Sequence, residues 1–410
     1  MSPSVGLLTI GDELLNGSLT DTNSSVIAQR LAEIGLAVQE TRTLPDAIVA
    51  IADGIRQMTQ AYDIVIMTGG LGSTIDDLTV AAVARAFDRQ NRPNAAALQL
   101  IEEYGRKRGR PPHPRDLKSA NFPDGATPLR NPCGTAPGLY FSTDTVELFA
   151  LPGVPTEMLA ILDESILPFL QQRFTLTRLE PERIVTLLGI AEPQVEKELE
   201  QLLLPPEVAI AFGVTFPFVQ LKLRAQGAAA TDRLEQACSV VTAHFREQVV
   251  ASDRQTIAEQ TAAQLTLARK TLSLAESCTG GLISKLLTDA PGASDFFERG
   301  GVTYANSAKV DWLSVSRKIL DQDGAVSAAC ARAMAEGIRL AASTDIGLSV
   351  TGIAGPDGGS IEKPVGTVFI ALADENQTVV TEHRFSGTRQ QIRMRAACAA
   401  LALIQRQLRD

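Results

Sequence analysis

The 410-residue chain has only three histidines, one tryptophan and five cysteines. The cysteines (Cys133, Cys238, Cys278, Cys330, Cys398) are odd in number and scattered, with no C-x-x-C pair. That excludes a disulfide framework and a cysteine zinc site. His113, His244 and His383 fall in unrelated segments, so a Ser–His–Asp arrangement has no motif support. No stretch approaches the roughly 20 apolar residues of a membrane span. The opening "MSPSVGLLTIGDELLNG" runs at once into Asp12 and Glu13, without the basic start and long apolar middle of a signal peptide. An excess of positive charge is missing too: 38 Lys+Arg against 47 Asp+Glu leave a net charge of −9. A general grip on nucleic-acid phosphates is therefore excluded. The basic run "YGRKRGRPPHPR" (104–115) reads first as a solvated loop. The expectation is a cytoplasmic protein of small-molecule ligands, with no membrane or direct nucleic-acid partner.

A hydrophobic content of 45% is ample for real cores, and the length suits two or three domains. Residues 1–173 alternate in the βα manner: "VGLLTIG" and "DIVIMTGG" are apolar runs ending in glycine, and "TNSSVIAQRLAEIG" puts Val26, Ile27, Leu31 and Ile34 on one helical face. "GLYFS", "VELFALPG" and a helix opened by Pro155 complete a doubly wound α/β pattern. After the linker-like "FTLTRLEPER", the order over 174–253 becomes strand, helix, two strands, helix. This small α+β module is KH-like but lacks the G-x-x-G loop that clamps a backbone. A dimerising role, and hence a homodimer, is expected of it. Residues 254–410 form a second α/β domain, from the helix "QTIAEQTAAQLTLARK" to a long final helix.

Two constellations carry chemistry. "MTGGLGSTIDDLT" follows a buried strand and precedes a helix, so Gly69, Gly70, Gly72 and Thr74 sit where a backbone cradle for a ligand is useful. It is not a P-loop, because the G-K-[ST] ending is missing. Its Asp76 and Asp77 are hard oxygen ligands suited to a divalent cation, and helix capping would need just one of them. "GDELLNG" and "LPGVPTEM" add Asp12, Glu13 and Glu157 on the same sheet edge.

In "LAESCTGGLISKLL" a strand runs into a helix at Ser277, Cys278, Thr279, Gly280 and Gly281. Unpaired amides at a helix start suit an oxyanion or a phosphate. A serine nucleophile still needs a base. Lys309, in "GVTYANSAK", is the candidate: Asn306 as N-cap would place it in the first helical turn, where the dipole and partial burial lower its pKa. Tyr304, read as lying on the strand, could relay a proton or hold the lysine. Cys278 is the rival nucleophile, but neighbours at a strand end face opposite ways. Thr351 and Gly352 in "SVTGIAGPDGG" could stabilise an oxyanion or cradle a phosphate, and Arg389 and Arg393 could pair with a phosphate.

Through "GDELLNG", "DTNS", "TGGLGSTIDDLT", "NPCGTAPG" and "LPGVPTEM", residues 1–173 resemble the MoaB/MogA-type molybdopterin-binding fold, and more closely the N-terminal domain of the CinA family. That resemblance implies metal-dependent hydrolysis of ADP-ribose, although Ser73 stands where the family usually has proline. Through "AESCTGG", "GGVTYANSAK", "GAVS", "TGIAGPDGG", "EKPVGTV" and "FSGTR", residues 254–410 resemble the CinA C-terminal domain and the stand-alone nicotinamide-nucleotide amidases. It implies a Ser277–Lys309 dyad that deamidates nicotinamide mononucleotide without a cofactor, with Tyr304, Thr351 and Arg389 in binding. Thr388 departs from the aspartate common there. The competing expectation is a competence- or damage-linked scaffold with a molybdopterin-like ligand.

Overall fold

Val5–Ile10 (β1) is buried at every position because helices cover both faces of its sheet. Leu7 enters the core on one face and Leu8 the core on the other. A computed structural model describes residues 3–109, 111, 113–176, 181–227 and 229–409. It divides into two compact units, 1–179 and 180–410. In the first, β1 lies parallel to Val38–Leu44 (β2) and to Ile64–Thr68 (β3). Asn91–Pro93 (β4) and Asn121–Pro123 (β5) make a separate ribbon. Thr127–Leu129 (β6), Gly138–Ser142 (β7) and Glu147–Leu151 (β8) complete a mixed sheet of order β2-β1-β3-β8-β7-β6. The expected helices appear at Asn23–Glu33, with Ile27 and Leu31 buried, and from Pro155, where a π turn over Leu162–Ile166 interrupts the run to Arg173.

The second unit opens with an antiparallel sheet of Glu182–Leu188 (β9), Val208–Thr215 (β10), Phe218–Ala225 (β11) and Val249–Ser252 (β12), in the order β10-β11-β9-β12. Helices Glu192–Leu199 and Ala230–His244 accompany it. The strand β12, four residues long, is an addition to the sequence-based pattern. Residues 177–180 of the linker-like stretch, and 110 and 112 of the basic run, lie outside the described residues.

The unit continues with a helix over Ile257–Ala268, held by a capping box of Thr256 and Glu259. Leu272–Glu276 (β13) follows, then Phe297–Val302 (β14), Ile346–Gly352 (β15), Thr367–Ala373 (β16), Thr378–Arg384 (β17) and the final helix Arg389–Arg409. The order is β14-β13-β15-β16-β17, with β13 parallel to both neighbours and the rest antiparallel. The carboxyl ends of β14, β13 and β15 therefore share one edge, and the residues just past them are brought together. Leu188, Phe218 and Val250 from the four-stranded sheet pack into the core of this domain. The buried Gln405 amide crosses the same seam, donating to Val250 O (3.0 Å), Thr261 Oγ1 (2.9 Å) and Ile257 O (3.3 Å). Among the described residues no helix is long and apolar enough to cross a membrane.

Candidate active site

β13 ends on Glu276, a buried acid absent from the residues expected to matter. Its carboxylate accepts from the N–H of Ile283 (3.1 Å) and from the N–H (2.8 Å) and hydroxyl (2.7 Å) of Ser284. These amides open the helix Leu282–Thr288 and have no acceptor within it. The acid thus clamps both ends of the turn 277–281, where Gly280 and Gly281 take φ of 60° and 88°. The available signal was a carboxylate at a strand end six residues before a helix. Glu276→Ala leaves one buried donor, the Ile283 N–H, and two half-buried donors on Ser284 unpaired, and should destabilise the protein by on the order of 3 kcal/mol, with Glu276→Gln intermediate. Denaturant midpoints check this, and an unchanged midpoint for the alanine variant would remove the clamp from the account.

Inside that turn, Ser277 Oγ lies 3.1 Å from Lys309 Nζ. Lys309 is 1% exposed, and Nζ also donates to Thr303 O (2.7 Å) and Tyr304 O (3.2 Å). Burial holds the amine below the ordinary lysine range. The thiols acting on it, Cys330 and Cys278, would raise its pKa only if ionised. Burial pushes Cys278 up to about 12 and raises Cys330 as well, so both stay neutral. A neutral amine has two N–H donors and one lone pair. In that form the two carbonyls would occupy the donors, and the lone pair would be left for the serine hydroxyl. Cys278 turns away into the core.

Several expectations are corrected. The helix Asn306–Leu313 has Ala305, not Asn306, as N-cap, and Lys309 is its fourth residue. Lys309 thus closes the first turn, and burial is the leading cause of its lowered pKa. Tyr304 lies past the end of β14, and its exposed hydroxyl accepts from Arg389 Nη2 (3.2 Å). Its carbonyl, not its ring, holds the lysine. The Thr351 hydroxyl donates to Ala325 O (2.7 Å) and is not free for an oxyanion. Gly352 is a packing glycine, since a Cβ would come within 2.7 Å of Thr367 O. Arg389 also donates to Gly355 O (2.6 Å), and Arg393 grips Thr279 O (2.6 and 3.2 Å). Among the described residues, the hydroxyls of Thr279 and Thr303, both fully buried, have no partner. Thr303 was absent from the expected set.

In the first unit, a cavity of about 350 Å³ is lined by Gly69, Gly70 and Gly72 together with Glu13, Asp46, Asp76, Asp77 and Glu157. Gly69 has a φ of 109°, and a Cβ there would meet Ile10 O at 2.2 Å. The loop needs glycine at that point. Of the four expected metal ligands, Asp76, Asp77 and Glu157 line this cavity and Asp12 does not, and each of the four is taken up by a hydrogen bond. Asp76 and Asp77 both accept from the Thr74 hydroxyl, and Asp77 also from the Thr74 N–H (2.7 Å). Asp12 accepts from the Asp46 N–H (3.3 Å), and Glu157 from Asn131 Nδ2 (2.7 Å). Among the described residues, no group of three or more His, Cys, Asp or Glu could hold an ion. The donors have the right chemistry but not the arrangement of a preformed site. Neither Asp76 nor Asp77 caps the following helix, whose N-cap, Leu78, has no side-chain bond. Asp46, missed in the sequence, has its carboxyl raised chiefly by burial, with Asp12, Glu13 and Asp76 adding to it. The Thr74 hydrogen bond holds Asp76 below its ordinary value.

The family model for the CinA C-terminal domain matches residues 254–408, and the one described as "Probable molybdopterin binding domain" matches residues 6–172. A CinA-like protein of Syntrophotalea carbinolica is 49% identical over 411 residues, spanning 100% of this chain and 99% of that protein. One from Geobacter sulfurreducens is 42% identical over 408 residues, spanning 98% and 99%. Among solved structures, a CinA protein of unknown function from Thermoplasma acidophilum shares 33% identity at a TM-score of 0.38, over 41% of this chain and 97% of that one. A competence/damage inducible protein from Agrobacterium tumefaciens shares 40% at a TM-score of 0.36, over 37% and 93%. With relatives this similar along the whole length, the chain belongs to the CinA family.

Proposed function

We propose that residues 254–410 hydrolyse the carboxamide of nicotinamide mononucleotide to nicotinic acid mononucleotide and ammonia. The observation that carries this reading is the 3.1 Å contact between Ser277 Oγ and the buried Lys309 amine. Neutral Lys309 takes the hydroxyl proton as Ser277 Oγ attacks the carboxamide carbon. The tetrahedral intermediate collapses as the protonated amine gives its proton to the leaving nitrogen, which departs as ammonia. Water then attacks the acyl ester with Lys309 again as base, and Ser277 recovers its proton. Among the described residues the Thr279 N–H makes no hydrogen bond, and it would serve as the oxyanion donor only if the turn opens on binding, because Thr279 is fully buried.

For the first domain we propose ADP-ribose as the ligand of the glycine-lined cavity. A pyrophosphate would meet five carboxylates there, which gives the expected divalent ion a reason in charge balance. The chain's own residues supply the cradle. One experiment tests both readings. Full-length protein is given nicotinamide mononucleotide, and ammonia and the acid product are measured; it is then given ADP-ribose with and without magnesium, and AMP is measured. Ammonia release without added metal is the expected first result. A protein that binds the mononucleotide but releases no ammonia would favour the scaffold reading, and AMP formation that ignores Asp77→Asn would detach the glycine loop from the second activity.

A further inference from the structure

We infer that Phe216, carried by the four-stranded sheet, is a positioning residue for the hydrolase site and acts through Arg395. This rests on the reading of the Ser277 site proposed above. Phe216 sits at the tip of the hairpin between β10 and β11 and is 42% exposed, an unusual place for a large ring without a partner. The partner is the Arg395 guanidinium, 5.1 Å from the ring centroid. Such contacts are attractive because the ring face carries negative charge density. The same guanidinium donates through Nη1 to Ser386 O (2.8 Å) and Ser386 Oγ (3.0 Å).

Ser386 belongs to the loop between β17 and the final helix, three residues before Arg389. Arg389 bridges Gly355 O and the Tyr304 hydroxyl, and the Tyr304 carbonyl holds Lys309. A continuous path therefore runs from the hairpin ring to the base of the dyad. The hairpin cannot drift freely, since Phe218 and its cross-strand partner Leu188 are packed into the core of the domain that carries the site. Phe216 touches no reacting atom. It restrains the loop that presents Arg389.

The test uses full-length Phe216→Ala and Phe216→Tyr, the latter keeping a ring face for the cation. Hydrogen exchange over 385–389 should be about two- to five-fold faster in Phe216→Ala, the size expected for losing one exposed cation–π contact, and unchanged in Phe216→Tyr. The KM for nicotinamide mononucleotide should rise by a similar factor in Phe216→Ala while kcat holds. Adding Phe216→Ala to Arg395→Ala should have no further effect, because the pair acts as a unit. Wild-type exchange over 385–389 in Phe216→Ala overturns the proposal, and so do additive effects. Faster exchange spread over β9, β10 and β11, with kcat falling alongside, would overturn it as well, by showing simple unfolding of the hairpin. If the wild type does not turn over the mononucleotide but the exchange difference appears, the coupling stands and the substrate assignment falls.

Discussion

Ser277→Ala should lower ammonia release from nicotinamide mononucleotide by about 1000-fold or more, the scale on which losing a nucleophile acts. Cys278→Ala should keep most of it. The two side chains leave adjacent positions in opposite directions: one reaches Lys309 Nζ, the other enters the core. A thiol with a pKa of about 12 has a negligible thiolate fraction at neutral pH, so Cys278 is disqualified by protonation as well as by direction. Its removal should be felt in stability instead, as any small cavity is. Initial rates and thermal midpoints of the two variants separate the roles. Loss of turnover in Cys278→Ala with retention in Ser277→Ala would move the nucleophile to sulfur.

Lys309→Arg and Lys309→Ala should both be inactive, again by about 1000-fold or more. The arginine variant is the informative one. Its guanidinium can still donate to the Thr303 and Tyr304 carbonyls, but it stays protonated and cannot take a proton from serine. On the proposed mechanism the active form is the neutral amine, whose pKa burial has lowered. Turnover should therefore rise with pH, falling about tenfold per pH unit below the folded-state pKa and levelling above it. The midpoint should lie below about 10.4, the value for an unperturbed lysine. A pH–rate profile for the three proteins, with nucleotide affinity measured alongside, checks the sign. Near-normal turnover in Lys309→Arg would reduce the lysine to a fixed charge.

Residues whose placement follows from backbone position were legible in the sequence. Ser277 and Lys309 are 32 residues apart, yet each follows one of two adjacent parallel strands, so a βα pattern could pair them. Side chains whose direction is decided by tertiary neighbours were not legible. Nothing local to "GVTYANSAK" reveals that the Tyr304 hydroxyl turns to Arg389, 85 residues on, while its carbonyl holds the lysine. Nor does "SVTG" reveal that Thr351 is already committed to Ala325. The acidic loops of the first domain fail in a third way. Their edge was placed correctly, but each carboxylate takes the nearest donor, as Asp77 takes Thr74 and Glu157 takes Asn131. The strand β12 escaped notice because four residues carry too little alternation to stand out.

The Gln405 amide has a consequence for dissecting the chain. Its three acceptors lie on both sides of residue 254, where the C-terminal family match begins. A fragment begun there would discard the Val250 carbonyl and the Val250 side chain, which is 2% exposed within the core of the retained piece. The freed end of the last helix would also lose Arg246 O and Val249 O, which now accept from Arg409 (2.8 Å each). The border drawn by similarity is one of ancestry, while the border drawn by packing lies upstream of β12, and a biochemist who wants the C-terminal domain alone should cut at the second.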